Sequence, residues 1–296
     1  LAAKDAASKL PDLEVVDQVI KTTAEQLGRS NVRREKFLNL QYAIRKTDLQ
    51  VLGMIAIWWL SRGEAVMRFC EVLPILLWIW NEEEHALFKT ATSFKFHFML
   101  YLLADVLFVL NNLSMKFQDR TVDLTTVAAT VDDACSALKQ RYVTPVGRFG
   151  EFKQSRLAPF LKKHASTEKR VLVIEGVDAE GNTVMDTVPL HDEPIGKGAL
   201  YGTSPEECYD LAKVFAQGLI DALDSRLDDL KMVDGANLFR PKKYPLLHTG
   251  KREKYWSDNL DLLFKLFDYK LPGVGKDACD ADIGMLTNTL LKRHEN

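Results

Sequence analysis

Residues 59–66 read Trp-Leu-Ser-Arg-Gly-Glu-Ala-Val. Ser61 and Glu64 have the S-x-x-E spacing of a capping box, which predicts a helix start at Ser61: the hydroxyl bonds the Glu64 N–H and the carboxylate reaches back to the Ser61 N–H. Trp58 and Trp59 come just before that cap, at a helix end whose free N–H groups and dipole favour an anion such as a phosphate. A large flat ring beside such an end can seat an unstacked base. The alternative is a plain cap whose tryptophans pack on neighbouring helices. Arg62 can bind a phosphate at the same helix start; the alternative is a surface arginine paired with a glutamate.

The most basic stretch holds Arg240, Lys242, Lys243, Lys251, Arg252 and Lys254, with Tyr244, Tyr255 and Trp256 interleaved. Aromatic rings among cations suit nucleic acid, and a polar loop between helices is the alternative. Other polar residues read as structural. Asp105 lies in an apolar helical run, where it is expected to bond a neighbouring element. Glu82, Glu83 and Glu84 with His85 are consecutive, so they do not share a helix face and read as a solvated helix end rather than a metal site. His97, His164 and His191 have no metal spacing, and His97 reads as a satisfied core residue. Cys70, Cys135, Cys208 and Cys279 form no C-x-x-C pair, which argues against a zinc ribbon or finger in this piece; they read as reduced, mostly buried thiols of an intracellular protein.

The elements that must position these residues are mainly helical. Val16, Val19, Ile20, Thr23 and Leu27 form one helical stripe after a break at Pro11. Ser30 caps a helix to about Arg45, with Phe37 and Leu40 inward. Val66, Phe69, Leu73, Leu76 and Trp80 line the next, and Pro74 is expected to kink it. Residues 93–118 form a long buried helix, and Asp123 caps another carrying Val127, Val131, Ala134, Leu138 and Tyr142 on one face. Composition changes after Pro145. A β-hairpin is predicted near 169–190, turning at Asp178–Asn182, and it must rest on helices because an isolated hairpin is marginal. Residues 191–203 read as a mobile loop. Ser204 and Pro205 open a helix to about Met232 with Leu211, Phe215, Leu219, Leu223 and Leu230 inward; further helices are expected over 251–269 and 281–294. The regions 1–145 and 146–296 are expected to pack as one domain.

The chain has 296 residues, 47% apolar, with net charge −2. That suits one large domain or two small ones. A near-neutral chain that binds DNA must do so through local patches, or with parts outside this piece. The run Phe96–Leu110 is interrupted by His97 and Asp105 and is shorter than the roughly 20 residues of a membrane span, so no membrane partner is expected.

Four segments in order carry a family resemblance: Leu1–Ala7; the Trp-Leu-Ser-Arg-Gly-Glu-Ala string; Ala91–Phe98; and Leu103–Gln118, which contains Leu-Ala-Asp-Val-Leu-Phe-Val-Leu-Asn-Asn-Leu. Together they resemble hAT-superfamily transposases, in the transposase-derived zinc-finger-protein-862-like branch. The resemblance implies the all-helical insertion domain of a ribonuclease-H-like transposase, here as an internal fragment. It implies a nuclear protein, transposon-end DNA as partner, and a possible homo-oligomer. In the family, catalysis uses Mg²⁺ held by three carboxylates outside this segment, so no catalytic residue, metal or cofactor is assigned here and the segment alone is expected to be non-catalytic. The family's base-handling tryptophan corresponds to Trp59. The arginine before it is replaced by Trp58, and Arg240 stands where the family has an acidic residue. The site expected from sequence is therefore Trp59, Arg62, Lys242, Lys243, Lys251 and Arg252. A domesticated, non-catalytic module for protein interaction or dimerisation is the alternative.

Overall fold

The computed structural model describes residues 11–45, 49–51, 59–118, 124–144, 155–164, 170–191 and 205–231, with 254, 257, 258 and 261 as isolated helical positions. Helix α1 spans Pro11–Arg29 and α2 spans Asn31–Arg45. Helix α3 is Trp59–Glu82, α4 is Ala86–Ala91 and α5 is Phe94–Gln118. Helix α6, Leu124–Leu138, ends in a wider π turn over Lys139–Val143, and α7 is Leu157–Lys163. Strands β1, Val171–Val177, and β2, Thr183–Pro189, pair antiparallel with Val171 opposite Pro189 and Val177 opposite Thr183. Helix α8 spans Pro205–Lys231. Among the described residues the fold is thus mainly α with one hairpin.

The chain forms two compact units, residues 1–115 with 134–222, and residues 116–133 with 223–296. Every site described below lies in the first. There α1 packs on α2, α2 on α3, and both α2 and α3 on β1. Leu13, Val16, Val19, Ile20 and Thr23 are the buried face of α1. The Ser30 hydroxyl accepts the Arg33 N–H at 3.3 Å, which is the cap expected for α2, and Phe37 and Leu40 are buried. Helices α3 and α5 lack a clear polar face because they run through the core. By length and composition α5 could cross a membrane, as a buried core helix also can, and most of its residues are buried against protein.

Two close approaches set the packing. A Cβ at Gly63 of α3 would lie 2.1 Å from the Asn111 amide nitrogen of α5, so any larger residue there requires the Asn111 side chain to move. A Cβ at Gly176 of β1 would fall 1.9 Å from the Trp78 ring, which lies flat against the strand. The hairpin turn is held by Asp178, whose carboxylate accepts from the N–H groups of Glu180 and Asn182 at 3.1 and 2.7 Å.

Two expectations change in detail. Helix α3 already begins at Trp59, so Ser61 lies in its first turn rather than at its cap, and Glu64 pairs with Arg68 at 2.6 Å. Its chain continues through Pro74. On α8 the buried stripe is Cys208, Ala212, Phe215, Ala216 and Leu219, while Leu211 and Leu223 are half-buried; the small residues let the helix sit close, rotating the expected face. The expected loop over 192–203, the helix over 281–294 and most of that over 251–269 lie outside the described residues, as do Asp123 and Ser204.

Candidate functional site: a helix start and a histidine-lined cleft

Of the six residues expected from sequence, only Arg62 has a described side chain. Trp59 is the first residue of α3, but its ring lies outside the described residues, as do Lys242, Lys243, Lys251 and Arg252. Arg62 is engaged: its guanidinium donates to the Asp17 carboxylate of α1. Burial raises the Asp17 carboxyl above its ordinary range, and Arg62 works against that rise. Arg62 is 13% exposed, so this is a partly buried helix–helix tie and its partner is an aspartate.

Asp105 is the residue that organises a second site. It is 2% exposed, and it accepts from the Ser155 hydroxyl at 2.7 Å, the Arg156 N–H at 2.8 Å and the Leu157 N–H at 3.2 Å. These donors lie at the N-terminal end of α7, where the Ser155 hydroxyl in turn accepts from the Ala158 N–H at 3.1 Å. Asp105 is therefore the remote N-cap of α7, the bond to a neighbouring element expected from sequence. Burial pushes its carboxyl above the usual range, against the pull of the three donors.

Seated in this way, α7 closes a cleft of about 430 Å³ against α3, α5 and β1. Its floor is aromatic. His97 and Tyr101 are four residues apart on α5, with ring centroids 5.6 Å apart. Phe160 of α7 stacks on His97 at 5.7 Å and meets His164 at 4.7 Å. The rim carries Arg156, bound to Glu71 at 2.9 Å; Glu175, bound to Arg45 at 2.6 Å; and Lys163.

Burial lowers His97 to about 3, and burial with the neighbouring Lys163 and Arg170 lowers His164 to about 4. Both are neutral imidazoles at pH 7. Burial also raises the Tyr101 phenol and pushes the Cys70 thiol up to about 12, so neither ionises. His97 departs from its expected satisfied state. Neither ring nitrogen makes a hydrogen bond of acceptable geometry, although the Ala91 carbonyl lies near enough to favour the protonated ring. The Ser155 hydroxyl is committed to Asp105, so it acts as part of a cap. The arrangement can bind and orient a ligand through neutral donors, fixed cations and a flat floor.

Glu82, Glu83 and Glu84 are exposed at the end of α3, where Lys36 pairs with the first two at 3.2 Å, and His85 caps α4 through Nδ1. Among the described residues no three His, Cys, Asp or Glu side chains gather as a metal site. The sequence signals missed for the cleft were the His97–Tyr101 spacing and the Phe160–His164 spacing, both four residues, on helices that cross. Comparison with protein-family models, with curated proteins and with solved structures finds no match.

Proposed function

We propose that this chain is the helical insertion domain of a hAT-like DNA transposase, contributing to transposon-end DNA handling in the nucleus. In this reading Trp59 stacks on an unpaired base and the basic stretch Lys242, Lys243, Lys251 and Arg252 meets phosphates. The observation that supports it is the meeting of two resemblance-bearing segments. Gly63 of Trp-Leu-Ser-Arg-Gly-Glu-Ala packs on Asn111 of the Leu-Ala-Asp-containing segment. Segments that resemble a family in order and that also meet in space are what a single inherited unit would contain. The reading assigns the chain no cleavage step, since the carboxylates that hold Mg²⁺ in the family lie outside the segment.

Binding of the purified chain to hairpin and flapped DNA tests this. Salt-sensitive binding that Trp59→Ala weakens about tenfold is the expected result, from a stacking contribution of roughly 1–3 kcal/mol. Binding that is absent or insensitive to salt would refute it.

A second reading is a transposase-derived, non-catalytic module for protein interaction or dimerisation. The Asp17–Arg62 pair favours it, because Arg62, three positions after Trp59 in the chain, is already engaged. Self-association in sedimentation without DNA binding is its expected signature.

A further inference from the structure

We propose that the cleft between α3, α5, α7 and β1 binds a small organic anion with a flat apolar body, of the chemical class of aromatic carboxylates. The cleft's volume of about 430 Å³ is in the range of small-ligand sites. Its inner wall is apolar and flat, formed by Leu73, Leu77, Phe160 and Val173. A planar ring laid on Phe160 extends the existing His97–Phe160 stack.

The charge pattern selects the sign of the ligand. Arg156 and Glu175 are each already paired, with Glu71 and Arg45. Lys163 is exposed on the rim and makes no ion pair among the described residues. Among the described residues the uncompensated charge of the lining is therefore one cation, which suits a monoanion. The buried His97 ring stacks behind Phe160 and backs this wall. This inference stands independently of the transposase reading.

Calorimetric titration of the full chain tests it, with naphthoate as the probe and naphthamide as its uncharged match. Saturable binding of naphthoate at one site is expected, with naphthamide weaker by ~5-fold or more. Lys163→Gln, at an exposed position, should weaken naphthoate ~5–10-fold and leave naphthamide unchanged. Val173→Trp, at the edge of the wall, should remove binding of both probes, and Lys213→Gln on exposed α8 surface should change neither. Circular dichroism establishes that each variant is folded. No saturable naphthoate binding by the folded wild type would overturn the inference. So would equal affinity for the two probes, or a naphthoate affinity unchanged in both Lys163→Gln and Val173→Trp.

Discussion

Asp105 shows how one side chain can hold a site without touching a ligand. Its three donors lie 50 to 52 residues away in the chain, all at the start of α7. Asp105→Ala should cost roughly 2–4 kcal/mol in urea unfolding, because it leaves buried donors unpaired, and Asp105→Asn should cost less. The histidines make stability depend on pH. His97 and His164 have folded values of about 3 and about 4, below the ordinary 6.5. The unfolded chain therefore binds more protons below pH 6.5, and stability falls as pH drops toward those folded values. Asp17 and Asp105, raised by burial, act in the opposite sense: they favour the folded state as they become protonated. A comparison of wild type with His97→Phe isolates the histidine contribution. Between pH 7 and 4.5 the wild type should lose stability relative to the variant, at about 1.4 kcal/mol for each unit of differential shift.

At the scale of elements, two glycines decide which surfaces meet. Gly63→Ala should destabilise by about 1–3 kcal/mol, the usual range for overpacking, because the Asn111 amide must move. The double change Gly63→Ala with Asn111→Ala should recover part of that loss, read as a coupling in a double-mutant cycle. Gly176→Ala should loosen the hairpin from α3, since the Trp78 ring occupies the space of the new methyl. Amide exchange across Val171–Val177 should then speed up while α1 stays protected. The Ser30 cap, the hairpin turn at Asp178 and the buried length of α5 were all readable in advance, because each depends on residues within a few positions of one another. The start of α3 was not, and on α8 Phe215 and Leu219 were readable as inward while Cys208, Ala212 and Ala216 were not. Three residues separate Ser61 from Glu64 in either arrangement, and packing chooses whether Glu64 turns back or pairs forward with Arg68.

For the whole molecule the net charge of −2 leaves DNA binding to the local basic stretch. Engagement of Lys242, Lys243, Lys251 and Arg252 predicts a dependence of log affinity on log salt with a slope on the order of −2 to −4. A steeper slope would point to cations beyond the basic stretch near Lys242. The sequence by itself determined a mainly helical protein, the place of the hairpin over Val171–Pro189 and the Ser30 cap of α2, because periodicity and turn chemistry are local. It also determined that Asp105 would need a partner, since a carboxylate in an apolar run cannot stay unsatisfied. Only the tertiary structure decided which partner that is, that Arg62 meets Asp17, and that His97, Tyr101, Phe160 and His164 share a cleft. Those outcomes join residues far apart in the chain, and they follow from how large side chains fill a common interior, which no local pattern encodes.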